Sequence, residues 1–273
     1  MGRGEPSSVA AARYGRAVLA ITRPMSDRFV DALAALPPDP PIDPALARQQ
    51  HAAYRAALAA LGARVVALPP DDAHPDGCFV EDTAVVIDDL ALVTRPGAPS
   101  RRGEGAAIAA ALAPLVELAT MEAPATLDGG DCLRLGRTLY VGRSARTNAA
   151  GIARAAEVFA PRGVRVVAVD LAPDVLHLKC VCASLGDDRV LVADGALDPA
   201  VFDGAAVVRV PADEAYAANA VAIGGGVICA DGFPATHAAL ARAGFVVHAV
   251  PTSEVRKADG SLTCLSILVP GAA

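Results

Sequence analysis

Five short β-branched segments recur along the chain: ARVVAL at 63–68, PLVELA at 114–119, VRVVAV at 164–169, AAVVRV at 205–210 and FVVHAV at 245–250, spaced by about 51, 50, 41 and 40 residues. A repeat of this length implies units too small to bury their own apolar faces, which must stack on one another. Each of the first four is followed by a pair of apolar runs broken by a turn, which predicts a β-hairpin: FVEDTAVVIDDLALVT, GGDCLRLGRTLYVG, HLKCVCASLGDDRVLVA and NAVAIGGGVICA. The turns fall at Asp88-Asp89, Gly136-Arg137, 186–188 and 224–226, all turn-forming residue types. Apolar residues at i, i+3, i+4 spacing predict helices over 44–61, 103–112, 145–159 and 234–243, while the gap 198–203 has room for a turn only.

The unit is therefore ββαβ. A fifth hairpin is missing as one piece, but its halves stand at the two ends of the chain, 17–21 and 261–269. Pairing them closes a ring of five units and leaves no free sheet edge between first and last. The expectation is one closed α/β domain over 16–273. Residues 1–15, rich in Gly, Ser and Ala, are expected to form a loose extension, and the proline-rich stretch 36–44 to flank a lid.

The chain is 53% hydrophobic with a mean hydropathy of +0.40, but 62 alanines carry much of this, against no Trp, 6 Phe and 4 Tyr. The longest uncharged stretch, 215–230, is shorter than the roughly 20 apolar residues a membrane span needs. The first 25 residues lack the apolar core of a signal peptide, so a cytoplasmic protein without a membrane partner is expected. A net charge of −6 disfavours nucleic acid as a partner and allows a cationic ligand. The six cysteines are irregularly spaced in a chain long enough to build its own core, so free thiols are expected. A homodimer is compatible with all of this.

Among reactive side chains, Cys264 in SLTCLSILV fits either a buried structural cysteine or a thiolate nucleophile. His177 in VLHLK fits either a satisfied, half-buried histidine or a base. His51 and His237 fall on predicted helices, His74 in a loop and His248 on a strand. Cys180 and Cys182 are expected on one face of a strand, but lack the ligand number of a structural zinc site; no metal and no cofactor is expected. The triple glycine 224–226 lacks the surroundings of a phosphate loop. The acids are more specific. PDGCFVED carries Asp76, Glu81 and Asp82 at the entry of one hairpin, and LDGGD carries Asp128 and Asp131 at the same place in the next. Equivalent positions in a ring of repeats converge on one end, and carboxylates gathered there suit a guanidinium. Arg101 and Arg102, then Arg143 and Arg146, follow the same two hairpins and suit a carboxylate. A ligand cationic at one end and zwitterionic at the other, such as an arginine derivative, matches both sets.

FVEDTAVV, LVTRPGAPSRRGE, TLDGGDCL, YVGRSARTN, LHLK, YAANAVAI and SEVRKADGSLTCLSIL, in this order from about Arg16 to Val269, resemble the dimethylarginine dimethylaminohydrolases. These belong to the guanidino-group-modifying superfamily, with the arginine deiminases and amidinotransferases. The resemblance implies a five-bladed, pseudo-symmetric α/β propeller of ββαβ units and cofactor-free hydrolysis of Nω,Nω-dimethylarginine or Nω-methylarginine to citrulline and the amine. It places the nucleophile on Cys264 and the general acid/base on His177. The guanidinium-holding carboxylates fall on Asp82 and Asp128, with Glu81 in support. Asp76 would take the α-amino group, Arg101 and Arg146 the α-carboxylate, the carbonyl of Ala258 would assist, and Leu33 or its neighbour would be the lid leucine. The acid of LDGGD is Asp where some relatives carry Glu. Three rivals remain: an arginine deiminase or hydrolase of another guanidine, a noncatalytic guanidine binder, which the joint presence of Cys264 and His177 disfavours, and a metal-dependent hydrolase, which EDTA sensitivity would revive.

A free thiol titrates near 8.5, so a nucleophilic Cys264 has to be activated by its surroundings or by the ligand. Inactivation by a thiol alkylator is expected to depend on pH and to change when a cationic ligand is bound. Turnover that survives alkylation of Cys264 would remove it as the nucleophile.

Overall fold

In the computed structural model, which describes residues 18–186 and 188–271, every hairpin takes the next β-branched segment as a parallel third strand. In the first blade β3 (Ala84–Ile87) pairs antiparallel with β4 (Leu90–Val93), and β4 parallel with β5 (Glu117–Thr120). The pattern repeats in β6 (Cys132–Leu135), β7 (Thr138–Arg143) and β8 (Arg165–Asp170), in β9 (Cys182–Ser184), β10 (Arg189–Ala193) and β11 (Ala206–Val210), and in β12 (Val221–Ile223), β13 (Gly226–Ala230) and β14 (Val246–Val250). The fifth blade joins the chain ends. Its middle strand β1 (Val18–Thr22) runs antiparallel to β15 (Ile267–Pro270), with Val18 opposite Pro270, and parallel to β2 (Arg64–Ala67). The predicted extension 1–15 lies outside the described residues.

A parallel pair needs a crossover. Helices supply it as α1 (Pro44–Ala60), α2 (Gly105–Leu112), α3 (Ala149–Phe159) and α4 (Pro234–Arg242); the third blade manages with a 3-10 turn, Pro199–Val201, in the gap too short for a helix. α5 (Ser253–Lys257) was not predicted. The Asp43 side chain accepts from the amides of Ala45 and Leu46, capping α1 ahead of Pro44, and the helix turns Ala47, Gln50, His51, Tyr54, Ala57 and Leu58 inward at helical spacing. Two helices begin later than predicted. Asn148 caps α3 through Gly151, which holds 145–148 out of the helix, and α2 begins at Gly105.

The middle strands of the blades are buried on both faces, whereas the third strands are largely half exposed. Alanine-rich helices and short strands then divide the core into five packets, one at each junction between neighbouring blades. Ile87 and Leu92 meet Leu139, Val141 and Phe159; Leu133 and Tyr140 meet Val190, Val192 and Phe202; Leu191 meets Val227, Cys229 and Leu240. Ile228 and Val250 meet Tyr54 and Leu58, and Ile21 and Ile267 meet Ala91, Ile108 and Leu112. Each buried Leu, Ile or Phe contributes about 1.5–3 kcal/mol.

Two expectations are corrected. The ring is closed by packing and not by continuous hydrogen bonding: the five sheets are separate, and each keeps its own edges. Residues 261–266 are not strand, because a 3-10 turn, Thr263–Leu265, intervenes before β15. The inner strands β3, β6, β9, β12 and β15 surround a central cavity of about 770 Å³. No helix among the described residues is long and apolar enough to cross a membrane.

Gly151, in the first turn of α3, lies so close to the Thr126 carbonyl that a Cβ would overlap it. Gly151→Ala is expected to destabilise the protein by about 1–3 kcal/mol, the usual cost of overpacking, measured as a lower Tm.

Candidate active site

Every inner strand is entered through a 3-10 turn: Val80–Thr83 before β3, Gly129–Asp131 before β6, Leu178–Cys180 before β9, Ala212–Ala218 before β12 and Thr263–Leu265 before β15. The turn before β3 touches those before β15 and β6, and the turn before β9 touches those before β6 and β12, so the repeat gathers them at one end of the ring. The acids of FVED and LDGGD, the histidine of LHLK and the cysteine of LTCL converge for this reason. They adjoin a cavity of about 200 Å³ whose walls include Cys264, His177, Asp82, Asp76, Arg146 and Phe79. Among the described residues, the larger central cavity has no histidine beside a cysteine on its wall, and chemistry, not size, identifies the smaller one as the candidate site.

Of the ten predicted residues, Leu33, Asp76, Asp82, Arg101, Arg146, His177, Ala258 and Cys264 line the small cavity. Glu81 faces the central cavity instead. Its carboxylate accepts from Lys179 Nζ at 2.6 Å and from Thr263 Oγ1 at 2.7 Å. Asp128 is fully buried and lies behind the cavity wall, accepting from the Gly97 amide at 2.8 Å with Oδ2 3.1 Å from His177 Nε2. In this arrangement the short Asp side chain holds the imidazole and is set back from the ligand space. Asp131 is also turned away, accepting from the Leu178 amide and Ser144 Oγ. The Leu33 amide donates to Asp76 Oδ1 at 3.1 Å and the Ala35 amide to Asp259, which anchors the segment over the cavity.

Asp82 accepts from Arg101 Nη1 at 2.6 Å and from the Gly130 amide at 2.9 Å. Gly130 is required there, since a Cβ would come within 2.8 Å of His177 Nδ1 and 2.9 Å of Asp82 Oδ1. Arg101 is itself gripped by Glu104, through Nε and Nη2, and by the Phe79 carbonyl. Most of its N–H groups are thus committed within the protein, and Arg146 is the freer arginine on the cavity wall.

Burial alone would lower the pKa of His177, but the charge of Asp82, the hydrogen bond that the ring donates to Asp128 and the charges of Asp131 and Asp128 raise it to about 9. The ring is an imidazolium at neutral pH. It contributes stability that is fully present below its unfolded pKa of about 6.5 and lost as pH rises through about 9. Burial raises the Cys264 thiol well above its ordinary value, and the carboxylates of Glu81 and Asp82 add to the shift. Asp82 is held below the usual carboxylate range: burial opposes this, but His177 and Arg101 prevail. Burial also raises Asp76, against the pull of Arg101.

Cys180 and Cys182 do not share a strand face, since Cys180 ends a 3-10 turn and Cys182 opens β9 with its thiol against the Leu178 carbonyl. Asp82, Asp128 and His177 are the group among the described residues with metal-like spacing. Their donors are already engaged by Arg101, Gly130, Gly97 and one another, a set arranged around cations. Lys179, Thr263, Asn219 and Glu104 escaped the sequence reading. Two carried signals: Lys179 is one of only two lysines, two residues from His177, and Glu104 follows Arg101 at ion-pair spacing. Asn219, which bonds the Lys179 carbonyl and both Thr263 N and Oγ1, carried none.

The family model for eukaryotic N,N dimethylarginine dimethylhydrolase matches residues 40–214. The N(G),N(G)-dimethylarginine dimethylaminohydrolase of Pseudomonas aeruginosa is 36% identical over 249 residues, covering 90% of this chain and 97% of that protein. Its namesake from Streptomyces coelicolor is 39% identical over 251 residues, covering 91% and 95%. A solved mutant of the Pseudomonas enzyme complexed with citrulline is similar with a TM-score of 0.86 at 35% identity, over 92% of this chain and 98% of that one. A dimethylarginine dimethylaminohydrolase variant solved as an adduct with S-methyl-L-thiocitrulline gives 0.87 at 35% identity, with the same coverage. The N-terminal domain of ArgZ, a cyanobacterial arginine dihydrolase, shares the fold at 20% identity with a TM-score of 0.82.

Replacing Asp82 with Asn removes the strongest charge favouring the imidazolium. Asp82→Asn is therefore expected to lower the pKa of His177 from about 9, followed by NMR of the ring protons. An unmoved titration would show that Asp82 does not set it.

Proposed function

The chain belongs to the dimethylarginine dimethylaminohydrolase family, and from this membership we propose that it hydrolyses Nω,Nω-dimethylarginine or Nω-methylarginine to citrulline and dimethylamine or methylamine. The observation that carries the reading is the meeting, in one small cavity, of a thiol, an imidazolium and a buried carboxylate with Asp76 and Arg146. The first three suit a guanidinium and its cleavage, the last two an amino acid's α-amino and α-carboxylate groups.

The free site holds Cys264 as a thiol, because burial and two nearby carboxylates oppose the thiolate. A bound guanidinium reverses this, since its positive charge beside the sulfur favours the anion and the thiol proton leaves as the ligand enters. Asp82 holds the guanidinium in plane, which aims its central carbon at the sulfur. Attack by the thiolate forms a C–S bond and a tetrahedral adduct. His177, already protonated, gives its proton to the departing amine as the C–N bond breaks, leaving a covalent thiouronium. The now neutral imidazole takes one proton from the attacking water, and collapse expels the thiolate, which takes up the remaining hydroxyl proton as the carbonyl of citrulline forms. Asp128 keeps the imidazole oriented through both steps. The chemistry so written needs no cofactor, nucleic acid or partner chain; pairing of two copies is compatible with it.

The test is to incubate the protein with dimethylarginine, methylarginine, arginine and agmatine, to measure ureido product and amine, and to repeat with Cys264→Ser. Citrulline from the methylated substrates, abolished by Cys264→Ser, is expected. Ammonia from arginine at a comparable rate would reassign the chain to deimination. No product from any substrate would leave a guanidine binder.

A further inference from the structure

Asp131 is the one acid of the DGGD turn that the chemistry above does not use. It is fully buried, and its two oxygens reach different segments. Oδ1 accepts from the Leu178 amide at 3.0 Å, next to His177; Oδ2 accepts from Ser144 Oγ at 2.6 Å. The same Ser144 oxygen accepts from the amides of Arg146 at 3.1 Å and Thr147 at 3.2 Å. Thr147 Oγ1 in turn accepts from the Asp128 amide at 3.1 Å, and Asp128 holds His177. Gly142 leaves the space for this: a Cβ there would lie 2.7 Å from Asp131 Oδ1 and 3.0 Å from Leu178 Cβ.

We propose that Asp131 and Ser144 form a strut that fixes the α-carboxylate arginine, Arg146, in register with the acid/base, His177, and that both are positioning residues of the reaction. The proposal rests on the function given above. An arginine derivative has a fixed distance between its α-carboxylate and its guanidine carbon when extended, so the two loops must hold the matching distance. A hydroxyl tied to a buried carboxylate is a stiff way to hold a loop, because the charge has no water to turn to and the charge-assisted bond is short. Recognition of one end of the substrate is thereby linked to chemistry at the other.

Ser144→Ala frees the Arg146 loop while the Asp131–Leu178 bond remains. The expected result is a rise of about tenfold in KM for dimethylarginine, the size of one hydrogen bond to a charged group, with the loss falling on KM and not kcat. The inhibition constant of agmatine, which lacks the carboxylate, should not move, and Ser144→Thr, which keeps the hydroxyl, should restore KM. An unchanged KM, or equal losses for dimethylarginine and agmatine, overturns the strut. If Ser144→Ala does not fold, Asp131→Asn decides. His177 faces Asp82 from the turn before β3, Asp128 and Asp131 from the turn before β6, and the Cys264 thiol from the turn before β15. Removing the Asp131 charge should move the alkaline limb of kcat, where the general acid loses its proton, to lower pH. An unmoved limb overturns the proposal. Absence of turnover in the unaltered chain would instead sink the function itself, so the two failures are distinct.

Discussion

Charge withdrawn from water must be paired, and that requirement organises the end of the ring where the five turns meet. Six buried carboxylates, Asp76, Glu81, Asp82, Glu104, Asp128 and Asp131, stand there against four cations, Arg101, Arg146, Lys179 and His177. Each cation bridges different blades or different turns: Arg101 grips Asp82 and Glu104, Lys179 grips Glu81, and His177 lies between Asp82 and Asp128. Burial raises Glu81, Glu104 and Asp131 even so, and the acids at this end outnumber the cations. A site so composed is preset for a cationic ligand before any ligand arrives. Burial and the nearby carboxylates of Glu81 and Asp82 keep the Cys264 thiol protonated in the free site.

The architecture was legible because it repeats. The β-branched segments 63–68, 164–169, 205–210 and 245–250 each became the third strand of a blade, and the segment 114–119 did so with a shift toward Glu117–Thr120. The pairing of the chain ends followed from counting half-hairpins. What escaped was short and irregular: the 3-10 turns and α5, whose few residues carry no period, and the true start of α3, which Asn148 decides by a single hydrogen bond. The site was legible by residue type but not by direction. FVED places two acids side by side, and only the turn geometry shows that Asp82 looks into the small cavity while Glu81 looks into the central one. Asp128 was legible as an acid of the site, yet its retreat behind His177 depends on the approach of the Gly97 amide from another segment, which no local pattern announces.

That alternation recurs in the wall between the two cavities. Asp82 and Cys264 face the site, and their neighbours Glu81 and Thr263 face the centre of the ring, joined to each other and to Lys179. The partition is a single turn of backbone thick. Asn219 extends it to a fourth turn by bonding both Lys179 and Thr263. The reactive residues are therefore carried on a belt whose reverse side is an ion pair, and their placement is only as firm as that belt.

The pairing of β1 with β15 bears on the site as well as on the fold. Cys264 lies three residues before the strand that closes the ring, far along the chain from the acids, the arginines and the histidine it joins. Pairing of β1 with β15 completes the fifth sheet, and the turn that leads into β15 carries Cys264 to the cavity wall. Completion of that blade and placement of the thiol therefore depend on one short segment.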